Sequence, residues 1–159
     1  MSAVTRCLMA LVMLAACAPK PVQEASFRDT SRQVYSIAGL DPARINGHWV
    51  QVAGFGGSCR GGTMEIGPTT NYALCLPGGV KTGAGPMTAS LPGRFDVPGL
   101  GPFWVLWADA DDRTLVVGAP AGRYGFVLNR EASIPPDRLK AARDILQFNG
   151  YDVAKLSVY

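Results

Sequence analysis

From residue 45 onward, short apolar runs alternate with clusters of glycine, proline, asparagine and aspartate. The runs at residues 103–108, 114–118 and 124–130 are rich in β-branched and aromatic residues, so with their turn-like separators they predict antiparallel hairpins. Weaker runs predict further strands at residues 45–53, 63–67, 72–76, 86–91 and 94–97. Many short strands, spaced roughly ten residues apart, favour a sandwich or a closed barrel over a βαβ fold.

One helix interrupts this series of strands near the C-terminus. Residues 133–137 contain two prolines, which a first helical turn tolerates, and Asp137, which complements the helix dipole. The apolar face of this helix consists of Leu139, Ala142, Ile145 and Leu146. Asn149 and Gly150 are typical of a helix end, and residues 153–158 predict a last strand.

The N-terminal sixteen residues have a different pattern, that of an export signal. Arg6 precedes an apolar run at residues 7–14, which is too short for a permanent membrane span. Ala15 and Ala16 then lead into Cys17, and this arrangement resembles the lipobox of bacterial lipoproteins. The resemblance implies that residues 1–16 are removed and that Cys17 carries acyl chains. An ordinary signal peptide with an incidental cysteine is the alternative.

The remaining chain divides into a tether and one domain. Residues 17–43 are polar and contain three prolines, so they predict a lipid-anchored tether and a lead-in across a domain at residues 44–159. Loss of Arg6 with the signal leaves 14 basic residues against 12 acidic ones, and they form no basic stripe. This balance excludes nucleic acid as a partner.

Two cysteines, Cys59 and Cys75, are left for the domain. In an oxidising compartment they predict a disulfide, which would stabilise the fold by about 3 kcal/mol. A metal site is the alternative, but two cysteines without a second pair or a nearby histidine do not complete a zinc shell. We therefore expect neither a metal nor a cofactor.

Two segments together indicate a family. Asn46-Gly47-His48-Trp49 opens the first predicted strand, and residues 103–156 hold paired strands, one ending at Arg130, followed by the helix and a last strand. These features resemble the lipocalins, and among them the bacterial, apolipoprotein-D-like lipocalins. The resemblance implies an all-β fold with one C-terminal α-helix, a lipocalin-like antiparallel up-and-down barrel. Because only about 50 residues, rich in Gly and Pro, separate Trp49 from Phe103, the barrel should be shortened or partly open.

The resemblance also assigns candidate site residues. It implies that Gly47, Trp49 and Arg130 form a structural signature in which the arginine lies against the indole at the closed end. Period-two alternation, placed by the family register, predicts an inward set, although a slip of one residue would exchange the faces. That candidate ligand site consists of Gln51, Phe103, Val105, Trp107, Val116, Tyr124 and Phe126. Its apolar, aromatic character suits an acyl chain. The alternative is that these side chains fill a solid core.

The sequence gives little support for catalysis. His48 is the single histidine, is expected to face outward, and has no nucleophile placed beside it by a motif. Asp109, Asp111 and Asp112 share one hairpin turn and are better interpreted as turn-formers than as an acid–base pair. We therefore expect a binding protein and not an enzyme.

The predicted function is a membrane-anchored lipocalin that binds a fatty acid or lysophospholipid in a bacterial envelope. Because Ala18 follows the lipobox cysteine, the resemblance to bacterial lipoproteins implies sorting to the outer membrane, and we expect the domain to face the periplasm. The expected partners are a hydrophobic small molecule or lipid and the membrane itself, with the oligomeric state left open. The alternative is a packed barrel lipoprotein that acts through its outer surface as a protein-interaction or inhibitor module.

Overall fold

The computed structural model describes residues 25–159. The predicted signal peptide at 1–16, the lipidation site Cys17 and residues 18–24 of the predicted tether lie outside the described residues. The described part contains ten strands and one α-helix, so the predicted all-β class with a C-terminal helix is confirmed.

Each strand pairs antiparallel with its neighbours in the sheet. The strand bounds are β1 Gly47–Phe55, β2 Gly62–Ile66, β3 Thr70–Leu76, β4 Gly79–Gly85, β5 Thr88–Leu91, β6 Arg94–Val97, β7 Gly101–Ala108, β8 Thr114–Gly118, β9 Gly125–Asn129 and β10 Leu156–Val158. β4 and β5, which stand at the two ends of the hydrogen-bonded path, therefore run in the same direction although they are consecutive along the chain. Helix α1 spans Pro136–Phe148 between β9 and β10. A 3-10 turn, Pro42–Ile45, precedes β1.

Two elements differ from the sequence prediction. Strand β4 was not predicted, because its sequence GVKTGAG holds three glycines and lacks the alternation that marks a half-buried strand. The last predicted strand is shorter than expected, since Val153–Lys155 forms a 3-10 turn and only β10 pairs with β1.

Strand order is β4-β3-β2-β1-β9-β8-β7-β6-β5, with β10 beside β1. β1 therefore joins the first and second halves of the chain, and its pairing with β9 curls the sheet into an up-and-down barrel. Within residues 25–159 the hydrogen-bonded path does not return from β5 to β4, although these two strands are consecutive in sequence. The barrel is thus partly open along this line.

Tyr72 of β3 bridges that open line. Its ring is buried, and its hydroxyl donates to the carbonyl of Pro98, which follows β6, at 3.1 Å. Gly83 makes room for the ring, because a Cβ at this position would lie 2.4 Å from the tyrosine oxygen. One side chain therefore connects the two sides where no strand pair is formed among the described residues.

Of the three register shifts in the sheet, one lies between β5 and β6, and the other two change which residues face inward. The pairing of β1 with β9 changes register between Gln51 and Ala53, and that of β7 with β8 changes between Val105 and Trp107. A bulge adds one residue to one strand, so two successive side chains point to the same face. The phase predicted from strict alternation is therefore correct before each bulge and wrong after it.

Two apolar clusters result. The first fills the barrel interior and includes Trp49, Phe103 and Phe126, all fully buried. The second lies between the outer face of the sheet and α1, where Ala142 and Leu146 of the helix are fully buried. Segments of residues 25–41 pack on the barrel as well, and they place Val34 in the second cluster.

The two ends of the barrel are defined by their loops. The open end carries residues 56–61, 77–78, 98–100 and 119–124. The closed end carries residues 67–69, 92–93 and 109–113, together with the 3-10 turn Pro42–Ile45. These names are used below.

Candidate functional site

A row of aromatic rings crosses the middle of the barrel. Phe95 and Phe103 lie 6.5 Å apart between ring centroids, Phe103 and Phe126 lie 6.1 Å apart, and Phe126 and Tyr124 lie 5.9 Å apart. All four side chains are buried. The predicted inward positions Phe103, Tyr124 and Phe126, with Val105, therefore do come together, but they pack against each other. This part of the lumen is filled by side chains.

Gln51 also faces the interior, where the protein itself satisfies its amide. Its Nε2 donates to the Cys75 carbonyl at 2.8 Å, and its Oε1 accepts from the Cys75 amide at 2.8 Å. Gln51 is 1% exposed. It acts as a cross-strand tie between β1 and β3, so its polar groups are committed to the backbone of the barrel.

Two predicted site residues face the opposite way, and that part of the prediction is wrong. Trp107 and Val116 belong to the outer cluster beneath α1, not to the lumen. Trp107 follows the bulge in β7, and Val116 pairs with it and with outward-facing Val127. In β8 the inward residues are Leu115 and Val117. A bulge in β1 acts in the same way on Ala53: it lies outside, whereas strict alternation counted from Trp49 and Gln51 would place it inside.

The signature residues seal the closed end. The Arg130 guanidinium carbon lies 3.6 Å from the centroid of the Trp49 ring. The arginine also donates to three backbone carbonyls, those of His48 at 3.0 Å, Arg44 at 3.2 Å and Asp112 at 3.3 Å. The indole Nε1 of Trp49 donates to Ile45 at 2.7 Å.

These bonds tie the 3-10 turn, β1 and the loop at residues 109–113 into one plug. Gly47 has a φ of 101°, and a Cβ on it would lie 3.2 Å from Nη1 of Arg130, so a larger residue here would be strained and crowded. Burial lowers the pKa of Arg130 from its ordinary value.

A disulfide holds the open end. Cys59 lies in the loop after β1 and is bonded to Cys75 of β3, as the cysteine count predicts. Gly57 lies against this bond: a Cβ at Gly57 would be 2.8 Å from the carbonyl of Leu76. The disulfide therefore presses the loop of residues 56–61 onto the end of β3.

A cavity of about 400 Å³ lies at this open end. Its lining residues are Ala25, Leu76, Pro77, Lys81, Leu100, Arg123 and Tyr124. Leu76, Leu100 and Tyr124 belong to the interior cluster, so the cavity floor is continuous with the core. Lys81 and Arg123 are both exposed and supply two positive charges at the rim. We call this cavity the mouth pocket.

Tyr124 closes the bottom of the mouth pocket. Its hydroxyl donates to the carbonyl of Pro102 and lies 3.3 Å from that of Leu100. Burial raises the pKa of the Tyr124 phenol, so this group is a neutral donor at ordinary pH. Of the predicted ligand residues, Tyr124 alone lines the mouth pocket.

Sequence reasoning missed the other members of the pocket. Leu76 and Leu100 stand at the open-end limits of β3 and of the loop before β7, next to turns. Counting hairpins from Cys59 would have placed the turn after Leu76 correctly but the turn of Leu100 at the wrong end, because β4 and β5 run in the same direction. The missing β4 concealed Lys81, because the prediction left that stretch without a strand.

Other chemistry is sparse among residues 25–159. No group of three or more His, Cys, Asp or Glu side chains is arranged to hold a metal ion there. The imidazole of His48 is exposed and lies 3.3 Å from a carboxylate oxygen of Glu65 on the neighbouring strand. A shallow groove of about 550 Å³ adjoins this pair on the outer face of β2–β4, and it is lined by Thr63, Asn71, Thr82 and Ala84, among others. In the same part of the chain, no helix is long and apolar enough to cross a membrane.

An antiparallel barrel with an aromatic core, an arginine-sealed closed end and one helix on its flank defines a small calyx-type protein. A family model described as a lipocalin-like domain matches residues 80–159. The chain belongs to the lipocalin-like family.

One curated relative is temperature-induced lipocalin-1 of Arabidopsis thaliana, which is 32% identical over 60 residues. The match covers 38% of this chain and 32% of the plant protein, so the chain matches only about a third of that relative. The bacterial, apolipoprotein-D-like subtype predicted from sequence stays a prediction.

Solved structures agree on the fold. The siderocalin Ex-FABP, described as functioning through dual ligand specificities, has a TM-score of 0.53 at 15% identity, over 72% of this chain and 93% of that one. The cockroach allergen Per a 4 has a TM-score of 0.53 at 13% identity, over 75% and 87% of the two chains. Lobster apocrustacyanin A1 has a TM-score of 0.52 at 12% identity, over 80% and 88%. At such identities the likeness concerns the fold alone.

Proposed function

We propose that this protein is a lipid-anchored lipocalin of the bacterial envelope and that it binds a small hydrophobic ligand with an anionic head, of the fatty acid or lysophospholipid class. The observation that carries the proposal is the mouth pocket, whose apolar floor is bordered by Lys81 and Arg123. Its volume of about 400 Å³ lies within the range of small-molecule sites, roughly 300–1,000 Å³.

The filled interior determines how such a ligand is held. Because Phe103 and Phe126 are fully buried, an acyl chain has no free volume between their rings without displacing them. The ligand therefore packs its apolar part on Leu76, Leu100 and the Tyr124 ring. Its carboxylate or phosphate pairs with the two rim cations, as charge-assisted hydrogen bonds favour. The function is binding, and no step of it requires catalysis.

The experiment compares two ligands of equal length on the chain from Ala18, exported so that its disulfide forms. Hexadecanoic acid and hexadecanol are titrated separately, and adducts are counted by native mass spectrometry. We expect the acid to bind at least tenfold more tightly. A Lys81→Gln, Arg123→Gln variant should lose about tenfold for the acid, roughly 1.4 kcal/mol, and nothing for the alcohol.

Lys140→Gln is the matched control, since Lys140 is an exposed lysine of α1 that pairs with Asp144. It should bind both ligands like the native protein. A folded protein that carries no acid adduct at any concentration contradicts the proposal. Equal loss for acid and alcohol in the rim variant would contradict the assigned role of the two cations.

The shallow outer groove supports a second candidate, a protein-interaction or inhibitor module. Thr63, Asn71 and Thr82 offer hydroxyl and amide groups on this face. β4 stands at one end of the hydrogen-bonded path of the sheet, so an extended segment of another protein would be able to pair with the outer edge of β4. Under this alternative, Thr82→Arg abolishes binding of the partner while fatty-acid binding stays absent in the native chain.

A further inference from the structure

The two ends of the barrel carry opposite charge. The open-end loops at residues 56–61, 77–78, 98–100 and 119–124 contain Arg60 and Arg123 and not one carboxylate. Lys81 stands beside them at the rim of the mouth pocket. The open end is therefore a cationic surface that surrounds an apolar pocket.

The closed end is acidic by comparison. Its loop at residues 109–113 has the sequence DADDR, and Asp41 and Glu131 lie nearby in the chain segments that flank β1 and β9. At this end four arginines stand against five carboxylates, those of Asp41, Asp109, Asp111, Asp112 and Glu131, so its net charge is −1. Arg44 pairs with Asp112, Arg113 with Glu131 and Arg138 with Asp109, and Arg130 donates to backbone carbonyls. A negatively charged surface attracts the open end and repels the closed one.

The N-terminal chain leads to the same end of the molecule. Ala25, the first described residue, lines the mouth pocket, and Phe27 donates its amide to Gly122 in an open-end loop at 2.8 Å. Seven residues, 18–24, separate Ala25 from the predicted acylated cysteine, and the eight Cα–Cα steps between Cys17 and Ala25 span at most about 27 Å.

The maximal length of this tether is close to the length of a barrel strand, and this limits how easily each end of the barrel reaches the membrane. β7, Gly101–Ala108, has eight residues and extends about 27 Å between the two ends. Because barrel strands tilt by about 40° from the axis, the two ends are about 20 Å apart along it, so most of the tether has to run along the barrel wall before the closed end reaches a bilayer. The open end meets the bilayer at any extension.

We infer that the open end of the barrel faces the membrane, with Arg60, Lys81 and Arg123 on the anionic phospholipid head groups. This inference rests on the proposed lipid anchor at Cys17. Exposed Val80, which is 62% accessible and adjoins Lys81, extends the contact into the head-group layer. The mouth pocket then receives an amphiphile directly from the bilayer surface, and the ligand does not cross bulk water.

The test uses the full chain, matured in Gram-negative cells and reconstituted into vesicles of phosphatidylethanolamine and phosphatidylglycerol. Val80 at the open end, or Asp111 at the closed end, is replaced by p-benzoylphenylalanine and irradiated. We expect phospholipid adducts at position 80 in at least tenfold higher yield than at position 111. Ser58 and Ala110 provide a second exposed pair at the same two ends, in case either first replacement fails to fold.

Equal yields at the two ends, or a higher yield at position 111, overturn the inferred orientation. Replacing phosphatidylglycerol with phosphatidylcholine should lower the yield at position 80 at least threefold, and an unchanged yield overturns the role of the three cations. The intact mass of the mature protein separates the two proposals. If Cys17 of the mature protein carries no acyl groups, both the proposed anchor and the inferred orientation are wrong. If Cys17 is acylated but the yields are reversed, only the inferred orientation is wrong.

Discussion

The closed and open ends of this barrel are held by different kinds of interaction. At the closed end, Arg130 stacks on the buried ring of Trp49 and donates to carbonyls from three segments, so the cap is a hydrogen-bonded network over a buried indole. At the open end, the disulfide and Tyr124 leave an apolar pocket accessible between them. The difference means that stability depends mainly on the closed end and binding on the open end. Substitutions at the closed end should destabilise the fold, and substitutions at the open end should change what the protein binds.

The largest expected loss of stability comes from the row of aromatic rings that lies between the two ends. Phe103→Ala removes a fully buried ring that packs on Phe95 and Phe126, and should lower the free energy of unfolding by about 4 kcal/mol. Urea denaturation followed by circular dichroism measures it. Val80→Ala at the open end is the control, with an expected change below about 0.5 kcal/mol. A loss below about 1 kcal/mol for Phe103→Ala would mean that the lumen is not packed as described.

The next effect tests how the open end is stabilised. The Cys59→Ser, Cys75→Ser double variant should lose about 3 kcal/mol, because the bond closes a loop of 16 residues in the unfolded chain. Equilibrium denaturation with and without reductant measures it, since reduction of the native protein should reproduce the variant. Should reductant destabilise the double variant equally, the loss would not come from this disulfide.

Arg130 provides the corresponding test at the closed end. Arg130→Ala leaves three carbonyls without their donor and removes the cation from the Trp49 ring, and should cost about 2–3 kcal/mol. Thermal unfolding followed by circular dichroism measures the loss. Lys81→Ala at the mouth should be nearly neutral for stability. An equal loss from Lys81→Ala would remove the contrast between the ends.

Alkaline pH should give the smallest effect and act through buried tyrosines near the open end. Burial raises the pKa of Tyr151, whose hydroxyl accepts from Ala119, to about 12 from 10.0. Between pH 10 and about 12, the Tyr151 hydroxyl therefore stays protonated in the folded state and is ionised in the unfolded state. This contribution to stability is complete below pH 10 and disappears as pH rises from 10 to about 12, and about 2 kcal/mol of it is lost by pH 11.5.

The measurement is the free energy of unfolding between pH 8 and 11.5, in the native protein and in Tyr151→Phe. The variant should start lower, because it loses the hydrogen bonds of the hydroxyl, and should decline less steeply. Burial raises the pKa of Tyr124 in the same direction, so some decline stays in the variant. Parallel curves would show that Tyr151 does not titrate differently in the two states.

Most of the fold could be predicted, because β-branched and aromatic runs mark β7, β8 and β9 and the spacing of Ala142 and Leu146 marks α1. β4 could not, since three of its seven residues are glycines, which have low strand propensity, and one of them, Gly83, makes room for the Tyr72 ring. The site was half predictable. Phe103 and Phe126 follow from alternation, whereas Trp107 and Val116 lie beyond a bulge that leaves no local signal in sequence. The mouth pocket depends on which turns share an end of the barrel, and that is a property of the whole topology.

The central position of β1 also has a consequence for the time course of folding. β1 pairs with β2, only a few residues away, but also with β9 and β10, so its last partner is the last strand of the chain. The other strand pairs join segments that are consecutive along the chain and are able to form as local hairpins. During synthesis or export, one edge of β1 thus stays unpaired until almost the whole polypeptide has emerged. The pairing of β1 with β9 and β10 is therefore a late step of folding. The disulfide between β3 and the loop before β2 does not make it earlier, because it joins segments on the N-terminal side of β9.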